Sequence, residues 1–600
     1  MKMTILDVRD LQIAFIDDEK QSHIAVDKIN FSLRKGEILG IVGESGSGKS
    51  VTSLAIMGLL PPTGKISGGE ILFSDSHSST VVDLVTLSSK QKRDYRGGKI
   101  GMIFQEPMSS LNPVYNIGFQ IIEAIRLHQD VSEAQARRKA ISLLQEVKLL
   151  PTDKELEIEY RENNPLKEAT DKEIQQYINK RKQAIIRKFP HEMSGGQLQR
   201  VMIAIAISCQ PSILIADEPT TALDVTVQAT ILELLKELCR SREMALIFIT
   251  HDLAVVANIA DSLAVMYQGK IVEYGTATDI LLNPQQPYTK GLLACRPRLD
   301  ETRSYLPTVT DFLENQLETQ EEKFPVKLKK ILLTQPLLTV TNLKVGFRKK
   351  TTFPWQKDYF WAVNDVSFQL FPGETLGLVG ESGCGKSTLA RTILRLIPNH
   401  EGNIEFLGQN LTQLPLKSKS LRLLRREMQI VFQNPYNSLN PRRNIGQTIL
   451  EPMIIHRTGG NQQKRRERVR YLLERVGLNP DWFNRYPHEL SGGQRQRVCI
   501  ARALALNPQL IICDESVSAL DVSIQAQVLN LLKELQAEFG LTYIFISHDL
   551  SVVKFISDRI IVMNRGKIEE MSTTDQIINN PQREYTRQLI ASIPKFPTVA

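Results

Sequence analysis

Two eight-residue stretches, Gly43–Ser50 (GESGSGKS) and Gly380–Ser387 (GESGCGKS), have the residue types and spacing to hold a phosphate chain. Glycines at Gly43, Gly46 and Gly48, and at Gly380, Gly383 and Gly385, let the backbone wrap closely. Successive N–H groups, through Glu44, Ser45 and Ser47 in one loop and Glu381, Ser382 and Cys384 in the other, then point inward. Lys49 and Lys386 are placed to reach β- and γ-phosphates, and Ser50 and Ser387 to ligate Mg2+. Val51 and Thr388 continue into a helix whose N-terminus adds the positive end of its dipole.

A second constellation is acidic. Asp217–Glu218 and Asp514–Glu515 each end an apolar run, SILIADE and QLIICDE. An ionised pair there is costly unless it serves a cation or a water. The aspartate suits Mg2+; the glutamate, pointing the other way along the pleat, suits activation of an attacking water. His251 and His548 follow 33 residues after Glu218 and Glu515, each before an aspartate.

These groups need elements to position them. Glu37–Val42 and Glu374–Val379 are short apolar runs that predict strands feeding the glycine loops. SVTSLAIMGLL and STLARTILRLI have helical periodicity. Ser212–Ala216, Gln509–Cys513, Ala245–Thr250 and Thr542–Ser547 predict further buried strands. Strands alternating with helices imply a mostly parallel sheet covered on both faces, an α/β fold.

The same order of motifs occurs twice, so the chain is two copies of one domain. Lys49 and Lys386 lie 337 positions apart, Gln105 and Gln433 328, and Ser194 and Ser491 297. The first copy therefore carries 9 extra residues before Gln105 and 31 after it. The larger excess falls in a charged stretch, 151–188, which reads as solvated helices inserted at the surface. The boundaries expected are 1–296 for the first domain, 297–335 for a polar, proline-punctuated linker with one short helix, and 336–600 for the second.

With these motifs in order, the chain resembles ATP-binding-cassette (ABC) ATPases over nearly its whole length. The discriminating element is S-G-G-Q, at Ser194, Gly195, Gly196 and Gln197 and again at Ser491, Gly492, Gly493 and Gln494. A serine and two glycines ahead of a helix read as a second phosphate cradle. The resemblance implies two tandem P-loop domains, each with a parallel core, an antiparallel β subdomain and a helical signature subdomain. It implies that the signature of one domain closes over ATP held by the other, an intramolecular head-to-tail dimer. It makes Gln105 and Gln433 metal- and water-sensing residues that join Ser50, Asp217, Ser387 and Asp514 around Mg2+. It makes His251 and His548 contacts to the γ-phosphate, Asp224 and Asp521 members of the D-loops, and Phe15 and Phe347 the aromatics stacking on adenine, with His23, Phe360 and Trp361 as competitors. Every machine residue is present in both copies, so both sites read as hydrolytic.

The chain has 600 residues, 42% hydrophobic and 23% charged, which excludes wholesale disorder. A net charge of +8 over that length does not point to nucleic acid. Six cysteines lie scattered without C-x-x-C spacing, so neither a disulfide framework nor a metal cluster is expected. The N-terminus lacks an apolar core of the signal-peptide kind, and no apolar stretch reaches membrane-spanning length. The segments EPMSSLNP and NPYNSLNP and the tails NPQQPYTKGLLA and NPQREYTRQLIA resemble bacterial peptide importers. That implies two separate membrane-spanning permease subunits, an extracytoplasmic substrate-binding protein, a place on the cytoplasmic face of the inner membrane, and import of glutathione, dipeptides or oligopeptides. The alternative is a soluble ABC-type translation factor acting on ribosomes, against which the proline-broken linker and the P-Q-x-x-Y-T tails count.

Overall fold

Five-residue apolar runs make the centre of each sheet because both of their faces are covered. In the computed structural model, which describes residues 3–16, 20–74, 81–164, 170–221, 223–314, 335–348 and 358–593, every residue of Ile38–Val42, Ile213–Asp217, Thr375–Val379 and Leu510–Asp514 is buried. The chain divides into two compact units. The first comprises Met1–Leu223 and Val227–Leu293, the second Asp224–Thr226 and Ala294–Ile593, apart from the last few residues.

In the first unit a six-stranded sheet runs in the order Lys270–Thr276, Ser262–Tyr267, Ile38–Val42, Ala245–Thr250, Ile213–Asp217, Ile100–Ile103. All pairings are parallel except that of Lys270–Thr276 with Ser262–Tyr267. Register brings Val42 beside Thr250 and Asp217 beside Ile249, so the glycine loop, the acidic pair and His251 all leave the same, carboxyl edge. That edge is where open α/β sheets bind ligands. A separate four-stranded antiparallel sheet has the order Ser22–Arg34, Thr4–Ile16, Gly64–Ser74, Val81–Asp83. The second unit repeats both sheets, with Met428–Val431, Leu510–Asp514, Thr542–Ile546, Thr375–Val379, Arg559–Asn564 and Lys567–Thr573 in the large one.

The 31-residue excess of the first unit folds as two helices, Asp153–Asn163 and Asp171–Ile186. Each starts with a capping box, Thr152 with Glu155 and Thr170 with Glu173. They share a small core of Leu156, Ile174 and Ile178, with Tyr160 against it. Tyr177 donates to Glu159 at 2.9 Å, and Lys182 pairs with Asp153.

The stretch read as an insertion up to residue 188 is, however, not all appendage. Ile186 is buried against the backbone of Gly118, where a Cβ would lie 1.9 Å from its Cγ2. The Ile117 N–H donates to the Lys188 carbonyl at 2.9 Å. The second unit makes the same joint without an insert: Phe483 lies against Gly446, and the Ile445 N–H donates to the Arg485 carbonyl at 2.9 Å. The last turn of the inserted helix therefore belongs to the shared frame.

The segment read as a linker also has structure of its own. Its helix is Val309–Leu313. The Leu306 N–H donates to Asn530 Oδ1 at 3.0 Å, and Asn530 Nδ2 returns a bond to the Leu306 carbonyl at 2.8 Å. Tyr305, Leu306 and Val309 are buried, so residues 294–314 form part of the second unit. Residues 315–334 of the same segment lie outside the described residues.

Replacing 154–183 by a short Gly-Ser turn should leave the thermal unfolding midpoint nearly unchanged, since loop-length changes carry small entropic terms. Ile186→Ala should instead cost about 2–5 kcal/mol. Differential scanning calorimetry of the two variants checks the division; equal losses would refute it.

Candidate functional site

The glycine loop of each unit is built by close approach. A Cβ on Gly43 would lie 2.2 Å from the Met266 carbonyl oxygen, and one on Gly380 2.2 Å from that of Met563, so neither position admits a side chain. Gly48, at φ +102°, opens the helix Lys49–Ile56, and Gly385, at φ +108°, opens Lys386–Ile393. Lys49 is buried, and its Nζ donates to the carbonyls of Gly43 at 2.7 Å and Glu44 at 2.8 Å. Lys386 does the same to Gly380 at 2.7 Å and Glu381 at 2.9 Å. These ammonium groups sit inside loops of backbone N–H groups, an arrangement suited to an incoming polyanion.

Ser50 Oγ donates to Asp217 Oδ1 at 3.0 Å, and Ser387 Oγ to Asp514 Oδ1 at 2.8 Å. Burial pushes both aspartates above the usual carboxylate range, against the pull of those hydroxyls. A buried carboxylate raised in this way, beside a hydroxyl oxygen, is a hard-donor pair that fits Mg2+.

The glutamates are not aimed by strand pleating, as the sequence suggests. Glu218 has φ +49° and Glu515 φ +47°, left-handed backbone that costs a non-glycine residue roughly 1–2 kcal/mol. The turn is pinned to the neighbouring strand, the Glu218 N–H donating to the Ile249 carbonyl at 2.9 Å and that of Glu515 to Ile546 at 3.0 Å. Around Glu218 the chain gathers three partners. Gln105 Nε2 donates to Oε2 at 2.7 Å, Thr221 Oγ1 donates to Oε2 at 3.0 Å, and His251 Nδ1 lies 3.1 Å from Oε1. Burial pushes the Glu218 carboxyl up, but the hydrogen bond and charge of His251, the charge of Lys49 and the Thr221 hydroxyl together hold it at about 2.

Glu515 is held less firmly. Gln433 Nε2 donates to Oε2 at 2.6 Å, but His548 Nδ1 stands 3.8 Å from it, an ion-pair distance. Ser518, the counterpart of Thr221, turns its hydroxyl to the Glu515 backbone carbonyl at 2.9 Å instead. Its carboxyl is also lowered: burial raises it, and His548 and Lys386 outweigh burial. Thr221 was not singled out from the sequence; the serine or threonine three residues after each glutamate was the available signal.

The S-G-G-Q segments prove to be capping boxes. Ser194 Oγ accepts from the Gln197 N–H at 3.4 Å while Gln197 Oε1 accepts from the Ser194 N–H at 3.2 Å. Ser491 and Gln494 do likewise at 3.3 and 2.9 Å. The second glycine serves packing: a Cβ on Gly196 would meet Val227 at 2.5 Å, and one on Gly493 would meet Ile524 at 2.4 Å. Ser194, Gly195, Ser491 and Gly492 stay exposed. Of the aromatics, Phe15 is half-buried against Gly64, and Phe347 is 47% exposed opposite Phe360. Trp361 packs on Tyr359 and His400, with ring centroids 5.6 and 5.4 Å away.

The ABC transporter family matches residues 26–221 and 363–518, and the oligopeptide/dipeptide transporter C-terminal region matches 272–322 and 570–598. The glutathione import ATP-binding protein GsiA of Shigella boydii serotype 4 (strain Sb227) is 47% identical over 598 residues, covering 98% of this chain and 89% of its own. The protein of the same name from Escherichia coli (strain K12) is 47% identical over 596 residues, again covering 98% and 89%. A solved dimeric ATP-binding cassette in a post-hydrolysis state with ADP and Pi matches 40% of this chain and 98% of its own, at 30% identity and a TM-score of 0.36. The reading as a ribosome-acting factor finds no support in these relatives. The chain belongs to the ATP-binding proteins of the ABC transporter family.

Proposed function

We propose that the chain hydrolyses ATP at two sites to drive import of a small peptide, glutathione being the first candidate, through two separate permease subunits fed by a substrate-binding protein. The observation that carries the reading is the completeness of both sites: each unit unites P-loop lysine, serine–aspartate pair, and glutamine–glutamate–histidine cluster at one sheet edge. The names of the 47% identical relatives supply the substrate class. Among the described residues no helix is long and apolar enough to cross a membrane. The place read for the chain, peripheral at the cytoplasmic face of the inner membrane, follows from its likeness to import ATP-binding proteins.

In this reading Lys49 and Lys386 exchange their loop carbonyls for the β- and γ-phosphates. Mg2+ held through Ser50 with Asp217, and Ser387 with Asp514, with Gln105 and Gln433 beside them, would neutralise phosphate charge. Glu218 and Glu515 accept the proton of the attacking water. While His251 holds Glu218, the carboxylate is ionised but weakly basic. When His251 turns to the γ-phosphate, Glu218 loses a donor and gains basicity. Phe15 and Phe347 are the aromatics that would stack on adenine.

The segment after Gln105 exposes Met108, Val114, Tyr115 and Phe119, with Tyr115 stacked on Phe119 at 4.5 Å; the segment after Gln433 exposes Tyr436. Apolar side chains on a loop joined to the glutamine that binds Glu218 support docking of permease segments there.

Reconstitution with the permeases and binding protein should give ATP-dependent uptake of labelled glutathione or a dipeptide into vesicles; uptake of neither would overturn the substrate class. Glu218→Gln with Glu515→Gln should bind ATP but slow hydrolysis ~10²–10⁴-fold, and near-normal turnover would remove both residues from the mechanism. In a Glu515→Gln background, His251→Ala should move the acid limb of kcat/KM for residual hydrolysis, which reports the ATP-free protein, to higher pH. The sign follows because His251 depresses the Glu218 carboxyl, and without it burial keeps the group protonated to higher pH. Cysteines at the exposed Ser109 and Asn437 should crosslink to the permeases in the assembled complex; no crosslink at either would refute the docking surface.

A further inference from the structure

Each unit ends in a repeated motif, N-P-Q-x-x-Y-T, at Asn283–Thr289 and Asn580–Thr586, whose chemistry the site described above does not use. The structure ties it to the glycine loops. Gln285 Nε2 donates to the Asn283 carbonyl at 2.8 Å, and Gln582 Nε2 to that of Asn580 at 2.9 Å, closing a tight turn. Glu273 receives that turn, its Oε1 accepting from the Gln285 N–H at 2.8 Å and its Oε2 from the Gln286 N–H at 3.4 Å. Glu570 does the same for Gln582 at 2.9 Å and Arg583 at 3.2 Å. The helices Pro287–Ala294 and Glu584–Ala591 follow, and the threonine of each motif is fully buried. The tyrosine of each helix reaches the phosphate loop: the Glu44 N–H donates to the Tyr288 hydroxyl at 3.1 Å, and the Glu381 N–H to the Tyr585 hydroxyl at 3.2 Å.

We infer that Tyr288 and Tyr585 are positioning residues for ATP binding, each holding the first turn of its glycine loop in the phosphate-accepting shape. The proposal rests on the reading that these loops bind the ATP phosphates. The bond lands on a peptide group with a second duty, because the carbonyls of Gly43 and Gly380, which share those peptide groups, accept from Lys49 and Lys386. A lysine that leaves for a phosphate releases its two carbonyls, and the tyrosine bond is then what still restrains that peptide from the tail side. A loop fixed before ATP arrives loses less conformational entropy on binding. Burial pushes the Tyr585 hydroxyl up to about 12, which keeps it protonated, and Tyr288 is 3% exposed. Tyr288 also packs on Tyr267 with centroids 4.2 Å apart, whereas the matching position in the second unit is Asn564, so ring packing differs while the hydroxyl bond is kept.

Tyr288→Phe with Tyr585→Phe keeps the rings and removes only the bonds. In the full chain, titrated with trinitrophenyl-ATP, the double variant should bind about 3- to 10-fold more weakly, the range for one lost neutral hydrogen bond per site. In the assembled transporter the KM for ATP should rise by a similar factor with kcat nearly unchanged, and the ATP-free thermal midpoint should hold. Glu273→Gln with Glu570→Gln, which loosens the turn without touching the loop, should shift KM in the same direction by less. Unchanged ATP affinity in the tyrosine variant overturns the proposal, as does a fall in kcat or in the ATP-free midpoint with KM unmoved. Lys49→Ala with Lys386→Ala separates the two readings. If it leaves binding intact, the loops are not the phosphate sites; if it abolishes binding while the tyrosine variant binds normally, the positioning role alone fails.

Discussion

Charge buried at one edge of each parallel sheet is the constraint around which the rest is arranged. Lys49, Asp217 and Glu218 are all under a tenth exposed, and groups so buried persist as ions only if other groups satisfy them. The protein meets this by bonding each one: the ammonium to two loop carbonyls, the aspartate to Ser50, the glutamate to Gln105, Thr221 and His251. All of these partners leave the sheet or its flanking helix at the same edge. The strand order, which puts Ala245–Thr250 between Ile38–Val42 and Ile213–Asp217, is what makes them reachable.

Backbone strain enters at the two glutamates that end the central strands. Glu218 and Glu515 occupy left-handed backbone, and a backbone bond to the adjacent strand offsets that cost in both units. The conformation turns each carboxylate out of the strand direction and toward the histidine and glutamine. The two units solve the same problem with slightly different contacts. The threonine of the first unit bonds the carboxylate, while the serine of the second bonds the backbone, and the histidine stands 3.1 Å away in one and 3.8 Å in the other. Identical glutamate, glutamine and histidine types thus carry unequal electrostatic support.

Glycine does two separate jobs in the motifs. In the loops at Gly43 and Gly380 it admits a carbonyl that any side chain would strike. In the signature helices at Gly196 and Gly493 it lets Val227 and Ile524 pack close, while the flanking serine and glutamine cap the helix. A capping box explains why serine and glutamine stand three apart irrespective of any ligand. The exposure of Ser194 and Ser491 leaves those same residues open to a second role.

The sequence by itself determined the repeat, the α/β character, the strands that end in Asp217 and Asp514, and the residue types of both sites. Each of these is a short-range signal: a glycine loop, an apolar run of five, a spacing between motifs. The tertiary structure decided what depends on contacts between distant residues. That Ile186 belongs to the frame rests on Gly118, and that residues 294–314 join the second unit rests on Asn530. The left-handed glutamates, the unequal histidine distances and the tail tyrosines on the glycine loops are likewise fixed by neighbours at sequence separations from about thirty to more than two hundred residues. No local pattern encodes such distances, because the backbone angles that set them are chosen by packing and by the need to satisfy buried charge.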